Sequence, residues 1–371
     1  MKKQHKNVNY AGRILLGILG LLVLTGGGYV IYMQSQYYRI RDHKQLAINN
    51  NQQAQLAPNK NYTAMTYNMG FGAYNQKYSF FMDHGEMKNG KKTHGKYGTA
   101  YSKHAVLEST DGVIRTFKQN QPDFMLMQEI DTNSTRSFHV NQVKKVKNSF
   151  PGYGSVFASN FHSGFIMYPF TNPHGKVRSG LLTLSKYHLQ SAVRRKYPIT
   201  SNFFSKFTDL DRCFTVMTMP VKNGKKLILI NSHMSAYDKG GKMRKKQLQL
   251  LNHVMAEECR KGNYVIVGGD FNHAFGKKML THFETQQKIP SWVSVLDAKT
   301  LTSSMRMVHA GNENDVATCR ATDIPYRPGV NYETVIDGFL VSKNVEAKAT
   351  NVNTEFKYAD HNPVKLQFKL K

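Results

Sequence analysis

The stretch Tyr264-Val265-Ile266-Val267-Gly268-Gly269-Asp270-Phe271-Asn272-His273 decides how the rest of the chain is read. Its first four residues are aromatic and β-branched, the types that fit a buried strand. Two glycines then let the backbone turn tightly, so that Asp270 and Asn272 face one point. Upstream, Lys242–Arg260 reads as a helix whose Leu248, Leu251, Val254 and Met255 fall on one face, suited to packing on a sheet. Before it, Leu227–Asn231 reads as another strand that runs out into Asn231-Ser232-His233.

The same pattern recurs in both directions. Further strands are expected at Thr63–Tyr67, Phe124–Met127, Gly180–Leu184, Cys213–Met219, Val335–Val341 and Pro363–Phe368, and further helices at Ala105–Lys118 and Phe138–Ser149. Strands mixed with helices, and nothing resembling a linker, argue for one layered α/β domain over residues 62–371. Polar residues sit where apolar runs meet loops: Asn68, Gln128-Glu129, His233, Asp270, Asn272, Asp337 and Asp360-His361. In layered sheets that edge is where a site is assembled on rigid elements. Singly, each is an ordinary turn or strand-end residue. Together, and in this order, they offer hard oxygen ligands for Mg²⁺ or Mn²⁺. Two imidazoles beside them suit proton transfer and charge stabilisation at a phosphoryl centre. Cys213, Cys259 and Cys319 are odd in number and widely spaced, so they suggest neither a disulfide framework nor a zinc site. There is no Gly-rich loop ending in Lys-Ser/Thr that would point to a nucleoside triphosphate.

Seven motifs carry a family resemblance: Tyr67-Asn68-Met69-Gly70, Gln128-Glu129-Ile130, Ser179-Gly180-Leu181-Leu182-Thr183-Leu184-Ser185, Asn231-Ser232-His233, Gly268-Gly269-Asp270-Phe271-Asn272, Ile336-Asp337-Gly338 and Ala359-Asp360-His361-Asn362-Pro363. They resemble the successive motifs of the endonuclease/exonuclease/phosphatase superfamily, which includes DNase I, abasic-site endonucleases, bacterial sphingomyelinases and inositol polyphosphate phosphatases. The resemblance covers nearly all of residues 62–371. It implies a DNase I-like four-layer α/β sandwich, two mixed sheets packed face to face between helices, and a metal-dependent phosphoester hydrolase. It also implies roles. Glu129 is the main metal ligand, with Asn68 and Asp360 close to the metal. Asp270 orients or deprotonates the attacking water and Asn272 holds the phosphate. Asp337 pairs with His361, and His233 assists from the other side. The glycine-containing segment Tyr74–Lys103 departs from the superfamily pattern; it is expected to be a long surface loop near the first strand, placed to shape substrate access. His273 has no counterpart role.

At the N-terminus, Ile14–Met33 is an uncharged stretch of 20 residues. At about 1.5 Å per residue it spans about 30 Å, the thickness of a bilayer core. Lys2, Lys3, Lys6 and Arg13 precede it and Arg39, Arg41 and Lys44 follow, a small bias that places residues 1–13 in the cytoplasm and the catalytic domain outside. A cleaved signal peptide is the rival reading, with Thr25-Gly26-Gly27 as the cleavage region. Tyr29 to Met33 prolong the apolar run and favour retention, which makes the chain a membrane-anchored, bacterial-type member of the superfamily. Residues 34–61, with Asn49-Asn50-Asn51-Gln52-Gln53, read as a polar stalk.

The chain is strongly basic, with a formal net charge of +27; residues 62–371 hold 43 Lys and Arg against 23 Asp and Glu. Such a field draws polyanions. Clusters at 144–147, 194–196 and 242–246 suit a phosphate backbone, so nucleic acid ranks first as substrate. A phospholipid or sphingomyelin and a sugar or inositol phosphate are the alternatives. A catalytically inactive binding module on the same fold is the reading from another class, opposed by the complete set of motif residues.

Overall fold

Two-sided burial along the central strands explains the architecture, which we describe from a computed structural model covering residues 5–199, 202–203, 205–236 and 241–371. In chain order a long helix α1 (His5–Gln36) leads to β1 (Lys44–Gln45), β2 (Ile48–Asn49), β3 (Asn61–Asn68), α2 (Lys103–Asn120), β4 (Phe124–Asp131), α3 (Gln142–Ser149), β5 (Gly154–His162) and β6 (Arg178–Ser185). Then come β7 (Ser191–Lys196), β8 (Cys213–Pro220), β9 (Lys226–His233), α4 (Lys242–Arg260), β10 (Tyr264–Asp270), β11 (Met305–Val308), β12 (Asp337–Ser342), β13 (Val345–Asn351) and β14 (Val364–Leu370).

The strands form two seven-stranded sheets, ordered β1-β7-β8-β9-β10-β12-β11 and β13-β14-β3-β4-β6-β5-β2. Phe124 and Leu126 of β4 point into a core shared with Leu227 and Leu229 of β9 and with Tyr264 and Ile266 of β10. That cluster draws on both sheets, so they pack face to face. The alternate residues point outward. Ile228, Ile230, Val265 and Val267 meet Leu251, Val254 and Met255 of α4. Met125 and Met127 meet Val113, Ile114 and Phe117 of α2 and Val146 of α3. The result is the expected four-layer sandwich.

Two expectations need correction. Residues 34–61 do not form a stalk: Lys44 pairs with Arg194 at the edge of one sheet and Ile48 with Val156 at the edge of the other. Leu56 is fully buried between the sheets. The polar residues are used locally, with Asn50 Nδ2 donating to the carbonyls of Pro151 and Tyr153 and Asn51 Nδ2 to that of Leu189. The helix expected from Phe138 starts only at Gln142, because Phe138 and His139 hold positive φ angles in the turn before it. Helix α4 has the expected bounds. From Tyr10 to Gln36, α1 is long and apolar enough to cross a membrane, a property that a signal sequence shares.

Candidate active site

Strand direction and register assemble the site. β9 and β10 run parallel, which sets His233 opposite Asp270. The antiparallel strand β12 begins at Asp337, directly opposite Asp270 on its other side. In the second sheet β3 and β4 are also parallel, and Asn68 lies opposite Gln128. Parallel neighbours end at the same sheet edge, so both pairs deliver their polar ends to one rim. Gly269 is needed inside β10 rather than at a turn: a Cβ there would lie 1.9 Å from the Ser232 carbonyl oxygen. A bulge between Met127 and Ile130 interrupts β4, and within it Glu129 takes φ 50°. Bulges re-aim side chains. Here Glu129 leaves the sheet plane for the cavity, while Gln128 stays between the sheets.

Gln128 anchors a buried polar network beneath the rim. Its Nε2 donates to Asn231 Oδ1 at 2.7 Å and to Thr66 Oγ1 at 3.1 Å. Asn231 Nδ2 in turn donates to Thr183 Oγ1 at 3.1 Å. A fully bonded network of this kind fixes the two sheets relative to each other.

All eight residues singled out from the sequence converge. Asn68 Nδ2 donates to Asp270 Oδ2 at 3.0 Å and to Glu129 Oε1 at 3.5 Å, while its Oδ1 accepts from the Gly70 N–H. His233 Nε2 lies 3.5 Å from Asp270 Oδ2 and 3.8 Å from Glu129 Oε1. His361 Nε2 lies 3.8 Å from the same Asp270 oxygen, and its Nδ1 bonds Asp337 Oδ2 at 2.8 Å. The Asn272 N–H donates to Asp270 Oδ1 at 2.8 Å, and Asn272 Nδ2 donates to the Met234 carbonyl. Asp360 is half-buried, and its buried Oδ1 lacks a hydrogen-bond partner among the described residues. His273 turns away, its Nδ1 against the Phe271 carbonyl.

The electrostatics separate these groups. Burial, reinforced by the Asp337 carboxylate, pushes Asp270 up to about 6. Burial pushes Asp360 up to about 7, and Glu129 adds to the shift. For His361 burial opposes the charge, yet the Asp337 carboxylate and other anionic neighbours hold its pKa well above the ordinary histidine value. His233 is held well below that value by burial and by the nearby Arg212 and His361. One imidazole is therefore a cation and the other neutral.

The donor set fits a hard divalent cation. Asp270, Asp337 and His361 place their ligand atoms within 4.8 Å of one another, but Asp337 and His361 already satisfy each other. The unpartnered Asp360 Oδ1 and the partly exposed Glu129 carboxylate are better placed to give up oxygens. Asn68 turns its amide nitrogen toward the carboxylates of Asp270 and Glu129.

Glu129, His233, Asp270, Asn272, Asp360 and His361 floor a cavity of about 590 Å³. The Tyr74–Lys103 segment supplies Tyr74, Phe80 and Phe81 to its wall, so it is not merely a surface loop. Arg136 and Arg320 also reach the cavity and were not foreseen. Arg136 is paired with Asp131 through two bonds of 3.1 and 2.9 Å and lies 3.8 Å above the Phe71 ring. Arg320 Nη2 donates to the carbonyls of Tyr74 and Asn75, tying the inserted segment to the site. Neither arginine lies in a motif; the Arg136–Asp131 spacing of five residues was the one available hint.

A model of the endonuclease/exonuclease/phosphatase family matches residues 65–361. No curated protein matches the sequence. Among solved structures, an endonuclease/exonuclease/phosphatase from Beutenbergia cavernae is 12% identical, with a TM-score of 0.54 over 84% of this chain and 72% of that one. A family protein from Leptotrichia buccalis is 14% identical, with a TM-score of 0.54 over 83% and 100%. TDP2 from D. rerio, solved with a single-strand DNA product, is 12% identical, with a TM-score of 0.50 over 84% and 100%. At these identities the likeness is one of fold.

Proposed function

Because the chain belongs to the endonuclease/exonuclease/phosphatase family, we propose that it hydrolyses phosphoesters with a divalent cation, Mg²⁺ or Mn²⁺, held by Glu129 and Asp360. The observation that carries this reading is the buried Asp360 oxygen without a partner, next to a second carboxylate and at the floor of the cavity. When bound, such a cation neutralises charge that builds on the phosphoryl oxygens.

The chain's own residues do the rest. Asp270, with a carboxyl near 6, accepts a proton from the attacking water. The Asn272 N–H and the Asn68 amide fix both of its oxygens toward that task. His361, kept cationic by Asp337, donates from Nε2 to a phosphoryl or departing oxygen. His233, neutral and rigidly buried, offers a hydrogen bond rather than a charge. Asn272 spends one amide hydrogen on Met234 and keeps the other for the phosphate.

Nucleic acid is the substrate that the basic clusters favour, and the structure bears on those clusters directly. Arg194 is buried and donates to the carbonyls of Ser159 and Asp211. Arg244 is buried against the carbonyls of Ala236 and Trp292. Both are structural, which shortens any phosphate-binding track. The test is hydrolysis of bis(p-nitrophenyl) phosphate with Mg²⁺ or Mn²⁺, compared with Glu129→Ala. Turnover by the wild type and its loss in the variant is the expected result; no turnover with either metal leaves the binding module as the reading. If single-stranded DNA is cleaved, the rate should fall steeply with added salt.

A further inference from the structure

The apolar helix does not hang from the domain on a flexible tether. Arg39, three residues beyond its end, bonds Asp211 at 3.1 Å and the Asp209 carbonyl at 3.2 Å, and the Ile40 N–H points at Asp211. Asp211 is buried and also faces His162. Farther up, the helix packs against the loop between β5 and β6. Tyr29 Oη donates to the Phe165 carbonyl at 3.0 Å, and Tyr32 Oη accepts from the Phe165 N–H at 3.0 Å. Met33 clusters with Phe161, Ile166, Val177 and Leu210. A Cβ on Gly164 would lie 2.9 Å from Met33 Sδ, so the loop backbone runs hard against the helix.

This places the loop at a defined height. Tyr29 lies four residues before Met33, or about 6 Å along the axis. If the uncharged stretch Ile14–Met33 spans the bilayer core, the residues bonded to Tyr29 sit at or just below the level where that core ends. The loop is composed for that level. Phe165, Met167, Tyr168 and Phe170 are all exposed, Phe170 at 80%. Four large apolar side chains in six residues form the kind of surface that marks an interaction site. Aromatic rings at this depth suit a membrane interface. The same loop also reaches the catalytic cavity: Ile166 and Tyr168 line it, together with Leu210 from the segment before β8. One packed layer thus touches both the membrane helix and the cavity.

We propose that the segment Gly164–Phe170 lies in the interfacial layer of the bilayer that α1 spans, and that the cavity takes the phosphoester headgroup of a phospholipid from that leaflet. The inference rests on the hydrolase reading and on a membrane-spanning α1. Hydrolysis then breaks one P–O ester bond: water adds to phosphorus, its proton passes to Asp270, and the departing oxygen is protonated from His361. The aromatic wall from Phe80, Phe81 and Tyr168 shelters the glycerol end of the lipid, which a polynucleotide does not possess.

The experiment uses the full chain reconstituted in phosphatidylcholine/phosphatidylglycerol nanodiscs. Phosphate or headgroup release from these lipids is measured beside hydrolysis of bis(p-nitrophenyl) phosphate and single-stranded DNA. The double variant Met167→Ser/Phe170→Ser changes residues that do not line the cavity. It should lower lipid turnover about tenfold and leave the aryl phosphate rate unchanged. In Phe170→Trp, the added emission should be quenched more by a spin label near the headgroups than by one at the bilayer centre. Aryl phosphate or DNA hydrolysis without lipid turnover overturns the lipid inference and leaves the hydrolase reading intact. Absence of all three activities overturns both. Quenching that ignores label depth, with a change in oligomer size in the double variant, shows instead that the loop is covered by a second copy of the chain.

Discussion

Replacing Asp337 by Asn keeps the shape of the site and removes one charge from its most tightly coupled pair. In the structure Asp337 Oδ2 and His361 Nδ1 are 2.8 Å apart and both residues are buried. At an effective dielectric constant of about 20, two unit charges at that distance attract by about 6 kcal/mol, much of it offset by the desolvation of both groups. Without the carboxylate, the strongest of the anionic neighbours that raise His361 is gone and burial opposes the charge, so its proton should leave. The imidazole thus escapes as a neutral ring, so the fold should lose only about 1–2 kcal/mol, less than for a charge stranded without exit. Catalysis has no such escape. An amide at 337 can donate to Nδ1 and fix the neutral tautomer, and the site loses its cation. A loss of about 10²–10⁴ in kcat/KM follows, the range for removing a positioned acid.

The pH dependence gives a second readout. The pKa of His361 is raised in the folded wild type. Its contribution to stability is therefore fully present below the unfolded histidine value of about 6.5 and is lost as pH rises through the higher folded value. In Asp337→Asn that slope should vanish. The assays are bis(p-nitrophenyl) phosphate turnover across pH and thermal unfolding at the same pH values. A variant within about threefold of the wild type, with the same alkaline limb, would refute the assignment of His361 as the cation of the site.

Asp270→Asn should abolish turnover, by about 10³ or more, with the far-ultraviolet circular dichroism spectrum and melting temperature preserved, because the amide can keep the Asn272 contact. Saturating Mg²⁺ or Mn²⁺ should raise the melting temperature of the wild type, by an amount equivalent to about 2.7 kcal/mol at a hundred times Kd, and Asp360→Ala should lose that gain in a calorimetric scan. In the metal-free chain the Asp360 carboxyl is raised to about 7, so its protonated form favours the fold at low pH and that contribution fades as pH climbs through 7. Cation affinity should correspondingly rise between pH 6 and 8 with proton release, seen by titration calorimetry in buffers of different ionisation heats. Gly269→Ala should cost at least about 3 kcal/mol in denaturant unfolding, since the new Cβ meets backbone that cannot swing aside.

Much of the sandwich was legible in sequence because its central strands carry apolar residues on both faces. Phe124–Met127, Leu227–Ile230 and Tyr264–Val267 are such runs, and all lie in central strands. The strands that were missed lie nearer the edges and carry mixed composition. β7, Ser191–Lys196, looks like a charged surface run, yet Arg194 within it is buried by bonds to two carbonyls that no local pattern announces. β13, Val345–Asn351, alternates Val and Ala with exposed Glu346 and Lys348, and two alanines give little apolar signal. Segment 34–61 reads as a stalk for a related reason: what holds it is backbone pairing and asparagine side chains bonded to carbonyls, and composition counts those asparagines as solvated.

The candidate site divides along the same line. The proposed chemistry calls for particular residue types at strand ends, so Asn68, Glu129, His233, Asp270, Asn272, Asp337, Asp360 and His361 are legible in the sequence. Residues that enclose a substrate need only be large and apolar, a requirement that Phe80, Phe81, Ile166, Tyr168 and Leu210 meet from three separate loops with no shared spacing. Their grouping is a product of closure in three dimensions: Arg320 ties Tyr74 and Asn75 to the floor, and Tyr29 and Tyr32 tie Phe165 to the helix. Catalytic type and substrate class are therefore encoded differently. A change confined to the wall, such as Phe81→Ala, should alter KM for a lipid substrate far more than kcat for a small aryl phosphate, because it leaves the register that pairs His233, Asp270 and Asp337 untouched. Equal losses in both would mean that the wall also positions the reacting phosphate.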